Sequence, residues 1–280
     1  MNPATLLTRL NGAPLCLLPR AVDGLRQSFL QGDASDTPAA KKIVEMSEEE
    51  VQAWRIQRVL QRVGPVAVIS MSGVIVKKVP AWALEWFWLC DLDDIENALQ
   101  LALNDEKVTS ILLAVDSPGG YVTGVPELAD MVAETNKSKP VYAFSDSLNC
   151  SAAYYISSQA REIAVTSSST IGSIGTYLVL AEWTKAYEEM GITINFFREG
   201  KYKAMGASFK ELTDEERELI AAEIKEVNDG FLAAVTRARP KVPRESMEGQ
   251  TFSGKKSIAA GLADGIVNNL DEVVTALLTA

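Results

Sequence analysis

The chain has 280 residues, is 47% hydrophobic and 23% charged, and carries 18 Gly and 11 Pro, a composition that fits a globular protein with a sizeable core and excludes collagen-like, wholly disordered and coiled-coil chains. Its 27 Lys and Arg against 37 Asp and Glu leave a net charge of −10, so nucleic acid is not an expected partner. Histidine is absent altogether, which removes every Ser-His-Asp or Cys-His mechanism within the chain and zinc sites built on imidazole.

The three cysteines, Cys16, Cys90 and Cys150, form no C-x-x-C pair and are odd in number, which fits a reducing compartment and no structural disulfide. No run approaches about 18 consecutive apolar residues, and the opening MNPATLLTRLNGAPLCLLPR has no apolar core ahead of a cleavage site. The expectation is a soluble, unexported, cytoplasmic protein with no membrane anchor.

Residues 1–46 read as an arm and linker, with Pro14, Pro19, a short helix over Arg20 to Gln31 and the linker GDASDTPAAKK, standing apart from the main core. One large domain spans 47–280. Ser47 with Glu50 three residues on forms a capping box for a short helix ending before Val59. Val59 to Val63 and Val66 to Ile69 flank Gly64-Pro65 as a hairpin. Leu92, Ile95, Leu99 and Leu103 mark one face of a helix, and VTSILLAV (108–115) is the continuous apolar run of a strand buried on both faces. Val125, Leu128 and Val132 mark the next helix, and residues 140–145 the next strand. A small-residue helix follows over Ser151 to Ala160, a strand over Glu162 to Val165, and a helix over Glu182 to Met190 stopped by Gly191. ITINFF (192–197) reads as a strand, and Thr213 with Glu216 boxes a long helix to about Ala238, ended by Pro240 and Pro243. Phe252, a short helix before Gly261, Ile266-Val267 and a last helix from Asp271 complete an α/β pattern that implies a mostly parallel sheet flanked by helices.

Ligands of such sheets collect at the carboxyl ends of strands, and three loops there carry unusual residues. In Asp116-Ser117-Pro118-Gly119-Gly120 the two glycines can turn backbone N–H groups toward a cleft, as an oxyanion hole requires, although Pro-Gly is also a common turn dipeptide. In Asn149-Cys150-Ser151-Ala152-Ala153 a hydroxyl at a helix start gains from the helix dipole and the Ala152 N–H, although serine is also a preferred N-cap. Cys150 is a rival nucleophile that, without histidine, packs more readily as a small hydrophobe. In the loop 198–206, Lys201 and Lys203 compete as the base. Either would have to fall about 3 units from a pKa near 10.4, at a desolvation cost of roughly 4 kcal/mol. Together the loops offer the nucleophile, base and oxyanion donors of a Ser-Lys hydrolase.

The ordered segments SPGG (117–120), NCSAAYYIS (149–157), TIGSIG (170–175), EGKYKAMG (199–206) and TFSGKKSIAAGLADGIV (251–267) resemble the S49 peptidase family, which includes signal peptide peptidase A. In form the chain is most similar to that family's lambda-type phage capsid-maturation proteases, over residues 58 to 275. The resemblance implies a ClpP/crotonase-like fold and serine endopeptidase activity through a dyad, with Ser151 as nucleophile, Lys203 as base and Lys201 as the alternative. It also implies an oxyanion hole at Gly119, Gly120 and Ala152, with Ser173 holding the lysine amine. Ring-like homo-oligomers follow too, in which nucleophile and lysine can come from neighbouring subunits. The aromatic stretch VPAWALEWFWL (79–89) suits a subunit interface, a hydrophobic substrate groove or a buried core segment.

The expected activity is processing of scaffold or other head proteins during phage or prophage capsid maturation, in the host cytoplasm or procapsid interior. A soluble peptidase degrading signal peptides is the alternative within the family. A crotonase-type acyl-CoA enzyme and a catalytically inactive structural ring are the alternatives outside it. No metal or cofactor is expected, since carboxylates do not gather at metal-ligand spacing and no phosphate-binding G-x-x-x-x-G-K-[ST] loop occurs.

Overall fold

The structure is a computed structural model that describes residues 15–17, 43 and 45–279. The helix expected over residues 20–31 lies outside them. Strand β1 is Leu15–Leu17. Helix α1, Glu48–Val59, opens with the expected capping box: Ser47 Oγ accepts from the Glu50 N–H and the Ser47 N–H donates to Glu50 Oε2. The expected hairpin follows as β2 (Leu60–Val63) and β3 (Val66–Ser72), in a register running from Leu60 opposite Ile69 to Val63 opposite Val66.

Next come β4 (Val74–Val76), α2 (Ala81–Trp86), β5 (Leu89–Asp91), α3 (Leu92–Asn104), β6 (Ser110–Asp116), β7 (Gly119–Tyr121), α4 (Val125–Ser138) and β8 (Val141–Ser145). They are followed by β9 (Leu148–Cys150), α5 (Ala152–Ser157), β10 (Glu162–Val165), β11 (Thr170–Gly172), α6 (Thr184–Glu189) and α7 (Asp214–Ala238). The chain closes with β12 (Thr251–Ser253), α8 (Gly254–Ala259), β13 (Gly265–Ile266) and α9 (Leu270–Thr279).

The main sheet has the order β13-β10-β8-β6-β3-β2, parallel throughout except for the β2–β3 hairpin. The mostly parallel α/β architecture is therefore as expected. Strand alternation divides its apolar residues between two faces. Val66, Val68, Leu112 and Phe144 pack against Val274 of α9. Ala67, Ile69, Ile111, Leu113 and Ala143 join Ile95 and Leu99 of α3 and Val132 of α4 in the main core. Burying each large aliphatic side chain contributes about 1.5–3 kcal/mol, which is why the apolar runs of β3 and β6 carry no alternation with polar residues.

Two smaller sheets stand at the carboxyl ends of the main one, β1-β7-β4-β5 and β12-β11-β9. The aromatic stretch is in part the buried core segment that was one of its three expected roles. Val79, Ala83, Leu84, Phe87 and Leu89 form a buried cluster with Val74 and Val76, while Trp86 and Trp88 remain 39% and 46% exposed.

Two expectations fail. ITINFF forms no strand: residues 192–197 have no regular structure, and Ile192, Ile194 and Phe196 are exposed. Their alternation suits a strand, yet among the described residues no neighbouring strand lies beside them to complete a ladder. The arm, for its part, does not stand wholly apart. Cys16 is 1% exposed and belongs to the main core.

Candidate active site

Four of the motifs meet through a relay of backbone hydrogen bonds. The Ser117 N–H donates to Leu148 O at 2.7 Å and the Cys150 N–H to Ser117 O at 3.1 Å. The Ser151 N–H then donates to Gly172 O at 2.7 Å, and the Ser173 N–H to Gln250 O at 2.8 Å. The ends of β6, β9 and β11 and the start of β12 are thereby fixed against one another. Ser117 Oγ adds a bond to Gly73 O at 2.6 Å and accepts the Gly119 N–H at 3.2 Å.

Ser151 sits in the turn between β9 and α5 at φ 56° and ψ −121°. A side-chain-bearing residue at positive φ is strained by about 1–3 kcal/mol, and a sharp strand-to-helix turn of this kind presents a hydroxyl at its apex. Among the described residues only Lys78, Ser151 and Ser173 adopt positive φ without being glycine, so two of the three lie in this relay. Ser151 is 1% exposed, and its Oγ makes no hydrogen bond among the described residues.

Gly119 lies at φ +95°, and a β-carbon there would meet Cys16 O at 2.2 Å, Ser151 Cβ at 2.8 Å and Ala152 N at 3.0 Å. The position therefore requires glycine, and the crowding shows how closely it, the serine and the Ala152 N–H converge. As the first residue of α5, Ala152 has an N–H that the helix leaves unpaired. Gly120 is as constrained, since its β-carbon would fall 2.0 Å from Ile75 O. Ser173, at the end of the relay, also lines a cleft of about 500 Å³ together with Thr176, Lys225, Asn228 and Glu248. A hollow of about 270 Å³ beneath α9, between Tyr142, Glu162, Asp264 and Val273, shares no residue with it.

Ser151, Gly119, Gly120, Ala152 and Ser173 are thus gathered at one place, and the two lysines are not joined to them. Lys203 is exposed, and no hydrogen bond or ion pair links it to Ser151 among the described residues. Lys201 is paired with Glu215, whose hydrogen bond holds the ammonium above its ordinary pKa, away from the neutral form a base needs. Cys150 is buried, with Sγ donating to Thr170 O at 3.3 Å. Among the described residues no three His, Cys, Asp or Glu side chains cluster as a metal site would need. No helix among them is long and apolar enough to cross a membrane.

Cys16 was not legible as a site residue. Its thiol lies 3.3 Å from Thr176 Oγ1. Burial pushes its pKa up to about 11, and the hydroxyls of Thr176 and Ser151 beside it pull the other way only in part. No local sequence signal marks it, because its neighbours come from residues more than 100 positions away.

Among known proteins, the model of peptidase family S49 matches residues 133–279. The chain is similar to the capsid assembly protease C of Escherichia phage lambda, 30% identical over 247 residues, covering 87% of this chain and 56% of that protein. It is also similar to the head-tail preconnector protein GP5 of Enterobacteria phage P21, 29% identical over 261 residues, covering 92% and 52%. It spans about half the length of these relatives. Among solved structures, an enoyl-CoA hydratase from Shewanella pealeana aligns over 84% of this chain and 77% of that one, at 10% identity and a TM-score of 0.46.

Proposed function

Because the chain belongs to peptidase family S49, we propose that it is a serine endopeptidase whose nucleophile is Ser151 and whose base, Lys203, is supplied by a neighbouring copy of the chain. The peptidase domain is residues 47–280, preceded by the arm 1–46. The observation that carries this reading is the geometry at Ser151: a strained strand-to-helix turn, a buried hydroxyl with no hydrogen bond of its own, and the Gly119 backbone and Ala152 N–H crowded against it.

In this mechanism the neutral Lys203 amine takes the Ser151 hydroxyl proton as Oγ attacks the scissile carbonyl carbon. The N–H groups of Gly120 and Ala152 hold the oxyanion, and Gly119 shapes the turn that lets the carbonyl approach. Collapse breaks the peptide bond, and the Lys203 ammonium returns its proton to the leaving amine. Water then resolves the ester by the same steps in reverse roles. Two observations favour a base from another copy. Lys203 is exposed with no link to Ser151 among the described residues, and it follows the exposed apolar alternation Ile192, Ile194, Phe196, beside which no described strand lies. Packing against a second copy would bury that alternation and take the lysine out of bulk water. Ser173, which lines the 500 Å³ cleft, would accept from the incoming amine.

The names of the phage relatives support a protein substrate among scaffold or head components, acted on in the host cytoplasm or a procapsid. The test is cleavage of an unfolded protein by the unmutated chain and by Ser151→Ala, Lys203→Ala and Lys201→Ala. Loss in the first two with Lys201→Ala active is the expected result. Loss at Lys201 in place of Lys203 would move the base, and an active Ser151→Ala would overturn the assignment.

A further inference from the structure

Strand β7 contains the two glycines beside Ser151 and is paired on both sides, by β4 through Ile75 opposite Gly120 and by β1. The β1 side is the outer one, because the sheet order is β1-β7-β4-β5. Leu15, Cys16 and Leu17 run antiparallel to it, opposite Tyr121, Gly120 and Gly119. Without them the edge of β7 would be bare next to the nucleophile, and such an edge is where extended peptides add as an extra strand.

We propose that Leu15–Leu17 is a built-in pseudosubstrate, which occupies the strand position an extended substrate would take beside Ser151 and keeps the site closed until it is displaced. This rests on Ser151 being the nucleophile. The Cys16 carbonyl oxygen and Ser151 Cβ both press on the space beside Gly119. The Cys16 side chain faces Thr176 and Ser151, and both Cys16 and Ser151 are 1% exposed. With β1 seated, no second strand can reach the serine. The strand is only three residues long, so a competing strand has few pairings to replace. The small Cys16 side chain at the serine also defines a substrate class, an extended segment with a small residue facing the nucleophile.

The experiment follows the rate of Ser151 labelling by a fluorophosphonate in the full chain, in Cys16→Glu and in Cys16→Ala. A carboxylate cannot stay in that buried position unpaired, so Cys16→Glu displaces the strand and Cys16→Ala keeps it. The expected result is labelling about tenfold faster or more in Cys16→Glu only, slowed again by a synthetic peptide of residues 12–20. Amide hydrogen exchange at Gly119–Tyr121 should quicken in the same variant. Equal labelling rates in all three proteins overturn the proposal. Labelling absent from all three overturns the nucleophile assignment instead, and exchange at Gly119–Tyr121 then decides alone whether the strand covers β7, with unchanged exchange in Cys16→Glu counting against it.

Discussion

Replacing Ser151 by alanine should make the protein more stable while abolishing cleavage. The hydroxyl is 1% exposed and has no hydrogen-bonding partner among the described residues, and an unsatisfied buried hydroxyl costs about 1–3 kcal/mol. Alanine removes that cost, keeps the β-carbon packed beside Gly119, and leaves the backbone strain at φ 56° unchanged. A gain of about 1–2 kcal/mol follows, and at roughly 2–4 °C per kcal/mol for a chain approaching this size it is readable as a rise in Tm. Glycine would also relieve about 1 kcal/mol of strain, offset by about 0.5–1 kcal/mol of added freedom in the unfolded chain. Ser151→Gly should therefore match Ser151→Ala within about 0.5 kcal/mol. Urea and thermal unfolding of the three proteins measure this directly. A Ser151→Ala variant less stable than its parent by about 1 kcal/mol or more would mean that the hydroxyl holds a strong partner, and the picture of a poised, uncommitted nucleophile would fall.

Gly120→Ala sets a methyl group 2.0 Å from Ile75 O, against backbone that cannot rotate away, and should cost about 3 kcal/mol in a denaturation midpoint; a neutral result would refute the close approach of β4 and β7. Burial pushes the Cys16 thiol up to about 11 and the Cys90 thiol up to about 12, from 9.0. The folded state therefore holds these protons more tightly than the unfolded chain, so the contribution is complete below about pH 9 and is lost as pH rises toward 11–12. Unfolding titrations should show that alkaline loss, and Cys90→Ala should shrink it. Arg239 bridges Ser158 O, Ala160 O and Asp264, so Arg239→Met should lower stability by about 2–3 kcal/mol with kcat on a peptide substrate unchanged; a fall in kcat with stability intact would give this residue a role the structure does not suggest.

Elements built from near neighbours in sequence were the legible ones. The capping boxes at Ser47 and Thr213 start their helices where the spacing of the hydroxyl residue and the Glu three positions on places them, because both partners lie within one turn. The buried strands β3 and β6 are continuous apolar runs for the reason that helices cover both faces. The short strands β4, β5, β7, β9 and β11 were less legible, since two or three residues carry no periodicity and their pairing is set by the distant chain. The serine, the glycines and Ala152 were readable as strand-end residues, and the relay of backbone bonds now explains why those motifs occur together. The strand missing at 192–197 failed because alternation reports a face suited to burial without supplying the neighbouring strand that a ladder needs. Cys16 could not be read at all, as its partners are Gly120, Ser151 and Thr176.

The measurement closest to the central claim mixes two inactive variants. Ser151→Ala and Lys203→Ala are each expected to cleave nothing, and an equimolar mixture, dissociated and reassembled, should recover roughly a quarter of the parent rate, the fraction of sites pairing an intact serine with a neighbour's intact lysine. A silent mixture beside an active parent would place the base within the same chain, and cleavage by Ser151→Ala alone would contradict the account at its root.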